Sequence, residues 1–268
     1  MIKINKGSCI GTRHLKHGIP NQDYCSFLEK NNCIFSVMCD GVSLADVYGT
    51  VSNSQIASKR VCKNALIYFE RLYRKDINEL ELLNAIYNLC KKNLQEYITA
   101  NKLNPNFYHS TTILTLFNKE TNTLFYSYVG DSGIVIIKNK GIYTITERDK
   151  NQIYVDSILN VKNPTQGLEK DVDAYLLMTD GIYQAMLRNY SGNGFDNRLL
   201  NDFLFNTMQS PKKLTRFLNQ LPSYISDDDK SVLVVQSNKL KEERFSEKRY
   251  NDITDMELYL EAVKTIQY

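Results

Sequence analysis

No C-x-x-C pair occurs among the six cysteines, at positions 9, 25, 33, 39, 62 and 90, so a zinc knuckle is not expected. Four of the six stand in or beside apolar, strand-like runs. A thiol there packs as a small hydrophobe, and reduced structural cysteines in a reducing compartment are the reading. An excess of one charge is also missing. The 33 basic and 30 acidic residues leave a net charge of +3, too balanced to argue for nucleic acid or an anionic membrane as partner. Apolar runs are no longer than a strand, far short of the ~20 residues of a membrane helix. The opening stretch "MIKINKGSCIGTRH" has no apolar core followed by a small-residue cleavage site, so no secretory signal is read and a cytoplasmic protein is expected. Tryptophan is absent, which points to no function, and neither an internal repeat nor a low-complexity segment is visible.

What remains is an ordinary globular composition, 43% apolar and 24% charged over 268 residues, enough for one large domain or two small ones with a real core. Residues 2–10 read as a strand, and "GTRHLKHGIPNQD" as a loop broken by Gly11, Gly18 and Pro20. Two short strands follow near 24–29 and 33–39, joined by the turn-like "EKNN". Apolar residues then recur at three- and four-residue steps over about 52–74 and 78–100, predicting two amphipathic helices. Residues 111–145 return to a meander of strands, and 146–173 are polar and irregular. A strand at 174–179, short helices near 182–188, 196–208 and 211–220, and a last strand at 231–236 complete the core. A charged stretch and a possible amphipathic helix at 253–266 close the chain. Strands, paired helices, strands, helices and a strand make an α+β order with two sheets and helices outside, not an alternating βαβ array.

Acidic residues sit at the ends of these strands: Asp23 in "PNQDYCSF", Asp40 in "VMCDG", Asp131 after "FYSYVG", Asp180 in "LMTDG", and Asp227, Asp228 and Asp229 before "KSVLVV". Any single Asp-Gly after a strand reads first as a turn. Several at strand ends, if those ends converge, make a pocket of carboxylates that repel one another and are costly to desolvate. A divalent cation is the natural compensator, and an all-oxygen donor set favours Mg²⁺ or Mn²⁺.

Taken in order, "GIPNQD", "VMCDGVS", "HSTTILTL", "YVGDSGIVI", "LLMTDGIYQ" and "DDDKSVLVV" resemble the successive motifs of the metal-dependent type 2C (PPM-type) serine/threonine protein phosphatases. The likeness covers about 7–236, and "GTRHLKHGIPNQD" resembles a bacterial branch of the family. It implies an α+β four-layer αββα sandwich: two antiparallel sheets flanked by helices, with two Mn²⁺ or Mg²⁺ ions at one end. On this basis residues 1–237 form the catalytic domain and 238–268 a charged, helical extension. The implied activity is hydrolysis of phosphoserine and phosphothreonine in proteins, by attack of a metal-bridging hydroxide on phosphorus.

Carried over by motif, Asp40 bridges the two metals, the Gly41 carbonyl contacts the second, and Asp180 and Asp228 are further carboxylates on the first. Asp23 holds metal-bound water, and Asp131 belongs to a third, weakly bound metal. Ser110 and Thr111 match a hydroxyl pair that packs and turns rather than catalyses. The catalytic set is then Asp23, Asp40, Asp180 and Asp228. No C-x5-R loop of a cysteine phosphatase is present.

Three departures bear on the site. Gly18 stands where many members carry the arginine that grips phosphate, and His14, with Arg13 second, is the expected substitute from the same loop; Lys16 and His17 read as solvated charge. Val42 and Ser43 stand where some members have a histidine. Gly133 replaces a usual Arg and Gln184 an acid, both around the third metal, leaving the two-metal core intact. The resemblance implies a phosphoprotein substrate and a signalling role opposite a Ser/Thr kinase; the 238–268 extension falls outside it and reads first as a solvated helix, with partner contact as the alternative. Two other readings stand beside it: a phosphatase-fold regulatory module without turnover, and a phosphatase of a small metabolite.

Overall fold

The apolar runs divide into strands buried on both faces and helices buried on one. In the computed structural model, residues 2–42, 53–138, 141–146, 155–187, 197–208, 210–237 and 240 are described. Strands β1 (Lys3–Cys9), β2 (Tyr24–Lys30) and β3 (Cys33–Cys39) are followed by helices α2 (Ser54–Leu72) and α3 (Glu79–Ala100). The meander is β4 (Thr112–Asn118), β5 (Thr123–Val129), β6 (Gly133–Lys138) and β7 (Gly141–Thr144). Then come β8 (Thr165–Glu169), β9 (Val172–Met178), helices α4 (Asp180–Leu187), α5 (Asn197–Asn201) and α6 (Pro211–Gln220), and β10 (Lys230–Gln236). A short helix, α1 (Thr12–His17), lies between β1 and β2.

Two antiparallel five-stranded sheets result, in the orders β1-β10-β9-β6-β7 and β2-β3-β4-β5-β8. Every position of β3, β9 and β10 is buried, because each has the facing sheet on one side and helices on the other. Between the sheets pack Ile34, Met38, Ile113, Ile134, Tyr175 and Leu233, with the Tyr175 hydroxyl 2.9 Å from Ser36 Oγ across the layer. Outside the second sheet, α2 and α3 bury Phe69, Leu83 and Leu94 with Phe35 and Leu114; Phe35 and Phe69 stack at 4.5 Å. Outside the first, α4 and α6 bury Ile182, Met186 and Leu214 with Leu176 and Val234. The order of layers is αββα, as expected.

Register puts the functional loops at one end. Cys9 pairs with Lys230, Met178 with Val232 and Gly133, and Tyr24 with Cys39. The ends of β1, β3, β5 and β9 therefore meet the beginnings of β2, β4, β6 and β10. Every acid singled out in the sequence lies in one of these junctions.

Three local expectations are corrected. The loop at 11–23 contains α1, six residues closed by Gly18 at φ +65°. The irregular 146–173 segment contains β8, whose half-exposed residues pair along β5 as an edge strand. The helix expected over 196–208 is α5 followed by a π-helical turn, Asp202–Asn206. The expected helix at 253–266 lies outside the described residues, as does nearly all of the 238–268 extension. Leu240, the one described residue beyond 237, is buried in the α4–α6 layer.

Candidate active site

Asp40 is fixed by the strand beside it. Its backbone N–H donates to Thr111 Oγ1 at 3.0 Å, and the Thr111 N–H donates to the Asp40 carbonyl at 2.8 Å. Thr111 Oγ1 also lies 3.0 Å from Ser132 Oγ, which ties the Asp131 loop to the same point. Gly41 continues the ladder as an antiparallel bridge to Ser110. Asp23 is held from the other sheet: Thr179 Oγ1 donates to Asp23 Oδ2 at 2.7 Å and accepts from the Ser231 N–H at 2.9 Å.

Asp180 opens α4 and accepts from Gln184 Nε2, one turn on, at 3.3 Å. The glycine after it is a packing requirement. A Cβ at Gly181 would run into the Asp229 carbonyl, so only glycine lets the 227–229 loop close on α4. That loop is organised by Asp229, whose carboxylate accepts from the Gly11 N–H at 2.7 Å and the Gln22 N–H at 2.6 Å. Asp228 carries an ion pair to Arg13 Nη2 at 2.5 Å.

Asp40 is within hydrogen-bond reach of Asp23 on one side and Asp180 on the other. Half-buried Asp40, Asp131 and Asp180 each place an oxygen within 4.8 Å of the other two. The electrostatic consequence is uniform. Burial, then the charges of Asp229 and Asp180, hold the Asp23 carboxyl well above the usual range. Burial, then Asp23, Asp180 and Asp131, do the same to Asp40. Burial, then Asp131 and Asp228, push Asp180 up to about 7. These groups disfavour one another as anions and offer only oxygen donors. They fit a hard divalent cation such as Mg²⁺ or Mn²⁺.

The structure brings together Asp23, Asp40, Asp131 and Asp180, with Gly41 adjoining. Asp131, expected at a third metal, places an oxygen within 4.8 Å of those of Asp40 and Asp180. Asp228, expected among the first-metal ligands, is close enough for its charge to act on Asp180 and is ion-paired to Arg13. Arg13 sits on α1 with its side chain 45% exposed. His14, the next residue of α1, is buried. It is 2% exposed, with Nδ1 2.9 Å from Asp229 Oδ2 and Nε2 3.9 Å from Asp228 Oδ1. Neither ring nitrogen has an aligned hydrogen bond, so the contact is one of charge rather than direction. Burial opposes its protonation, but Asp229 and Asp228 outweigh it and raise its pKa. The contacts of His14, expected to grip phosphate, are with the Asp228 and Asp229 carboxylates.

Two residue roles escaped the sequence reading. Asp229 builds the site from behind, and Thr179 aims Asp23. The signals were faint: a triplet of acids entering a fully buried strand, and a hydroxyl just before "DG". The Gly133 departure has a packing cause. The Tyr183 ring of α4 occupies the space a side chain there would need, and its hydroxyl donates to the Thr146 carbonyl at 2.6 Å.

The sequence matches the family model described as "Protein phosphatase 2C" over residues 10–221. No curated relative matches it. Among solved structures, the serine/threonine phosphatase Stp1 from Staphylococcus aureus is similar, at 18% identity and a TM-score of 0.63, covering 88% of this chain and 95% of Stp1. The catalytic domain of the serine/threonine phosphatase PstP, solved with two manganese ions, is 16% identical with a TM-score of 0.59, covering 88% of this chain and 97% of that domain. RsbX in complex with magnesium is 13% identical with a TM-score of 0.56, covering 88% and 94%. At these identities the likeness is one of fold.

Proposed function

The chain belongs to the protein phosphatase 2C family, the metal-dependent serine/threonine protein phosphatases, and from that premise we propose which of its residues do the work. Asp40, Asp180, Asp228 and the Gly41 carbonyl would hold two Mn²⁺ or Mg²⁺ ions, with Asp131 serving a third. The observation that carries this is the meeting of Asp40, Asp131 and Asp180 within 4.8 Å, with Asp23 in hydrogen-bond reach of Asp40. When bound, such cations supply positive charge against the phosphoryl oxygens and make a nucleophilic water available near neutral pH.

The protein groups have separate tasks. Asp23, pinned by Thr179, would accept a hydrogen bond from water in the site and hold that water in place. Arg13 meets the substrate phosphate from α1; its planar guanidinium suits two phosphate oxygens at once. His14 and Asp229 are positioning residues that hold the Asp228 loop against Gly11 and Gln22. The substrate class is a phosphoprotein. A signalling role opposite a Ser/Thr kinase, a cytoplasmic setting and partner contact through residues 238–268 complete the reading. The six free, buried thiols support a reducing compartment.

Hydrolysis of p-nitrophenyl phosphate and of a phosphothreonine peptide, dependent on added Mn²⁺ and lost in Asp40→Asn, is the expected result. No turnover of either substrate with Mn²⁺ present would overturn the reading.

A further inference from the structure

Beside Asp23 the edge of the sandwich opens into a cavity of about 560 Å³. It exists because β1 ends one sheet and β2 ends the other, so no strand closes the gap between them. Lys6 of β1, Asn21 and Tyr24 at the start of β2, and Gln55 and Lys59 of α2 line it, with Asp23 common to the cavity and the carboxylate cluster. Lys6 Nζ reaches across the gap to two neutral acceptors, the Cys25 carbonyl at 3.0 Å and Ser26 Oγ at 3.3 Å. Lys59 is exposed on α2. Among the described residues neither lysine makes an ion pair with an acid.

We propose that this cavity is a specificity subsite for an acidic side chain flanking the phosphorylated residue of the protein substrate. The inference rests on the phosphatase reading above. Two cations that make no ion pair among the described residues supply the charge complement. Spacing supplies the reach. Lys6 stands three residues before the Cys9 end of β1, about 10 Å at the rise of a strand. An extended peptide whose phosphoresidue lies at the carboxylates thus brings a residue about three positions away to Lys6. A carboxylate fits better than a second phosphate, because Asp23 forms part of the wall and Lys6 is already shared between two acceptors.

The test uses full-length protein with Mn²⁺ and a set of phosphothreonine peptides in which a single glutamate, or glutamine as its neutral match, is walked along both flanks. p-Nitrophenyl phosphate, which has no flank, is the control. Wild type should favour glutamate at one flanking position by about fivefold in kcat/KM, the size of one partly screened ion pair. Lys59→Glu should abolish or reverse that preference while leaving p-nitrophenyl phosphate hydrolysis unchanged, and Lys6→Met should weaken it. Lys59 is exposed, so its replacement does not threaten the fold. Equal kcat/KM for glutamate and glutamine at every position, or a preference that survives Lys59→Glu, would overturn the subsite alone. Absence of p-nitrophenyl phosphate hydrolysis in wild type would overturn the phosphatase reading and the subsite with it.

Discussion

Thr179 and Asp23, far apart in the chain, share a buried hydrogen bond: Thr179 Oγ1 donates to Asp23 Oδ2 at 2.7 Å. The same hydroxyl accepts from the Ser231 N–H, so one atom links β10, the start of α4 and the start of β2. Thr179→Val keeps the volume and removes the donor. It takes one donor from a buried carboxylate and leaves the Ser231 N–H without its acceptor, at a cost of about 1–3 kcal/mol. The bond holds the Asp23 pKa down against burial, so its loss should raise that pKa further. The acid limb of the kcat/KM profile should then move to higher pH, with kcat down about tenfold or more. Thr179→Ser should restore both. A drop in kcat with an unmoved pH profile would mean that Thr179 acts through folding alone.

Asp40 is the most crowded of the acids, and its removal should have opposite effects with and without metal. Asp23, Asp180 and Asp131 all disfavour its ionised form, after burial itself. Asp40→Asn relieves that repulsion. The metal-free variant should therefore melt at a higher temperature than metal-free wild type. Manganese should raise the Tm of wild type and leave the variant nearly unmoved, because binding stabilises only the state that binds. Parallel melts with a chelator and with Mn²⁺ decide it, and a lower metal-free Tm in the variant would contradict the account.

The same crowding fixes the sign of the pH dependence. Asp180 has a folded-state pKa of about 7, and Asp23 and Asp40 are also raised. The folded state then holds more protons than the unfolded state above the ordinary carboxylate range. Stability of the metal-free protein should fall as pH rises from about 4 through about 7. The raised pKa of His14 acts in the same direction, since its contribution is lost as pH passes that value. Saturating Mn²⁺ should flatten or reverse the slope, because the cation replaces the protons. Urea midpoints across this range measure it. A midpoint that climbs with pH in the chelated protein would show that the cluster is not repulsive.

Much of this was legible before any coordinates, for a physical reason. Buried strands such as "FSVMC" and "AYLLM" are continuous apolar runs, and an aspartate at the end of each is conspicuous. What sequence hid depended on distant partners. His14 looked like a free basic residue because Asp229 lies at the other end of the chain. Asp228 and Asp229 are neighbours in a triplet, and only the fold turns one toward Arg13 and the other inward to Gly11 and Gln22. Helix α1 is too short to show a period, and "TQGLE" of β8 has no apolar alternation because its pairing comes from β5.

Arg13 offers a way to separate grip from stability. Its guanidinium lies 2.5 Å from Asp228 Oδ2, with the two side chains 45% and 28% exposed. A pair so open to solvent contributes about 0–1 kcal/mol, so Arg13→Ala should barely move the Tm. If Arg13 meets the substrate phosphate, the same change should raise KM for a phosphopeptide and lower kcat/KM about tenfold or more, the scale of a lost charge-assisted contact. Arg13→Lys keeps the charge but loses the planar fork, and should recover only part of the loss. His14→Ala provides the contrast: it removes a buried partner of Asp229, so its main effect should be on stability and metal affinity rather than on KM. Equal KM values for Arg13→Ala and wild type, with intact kcat, would take Arg13 out of the site and leave phosphate binding to the cations alone.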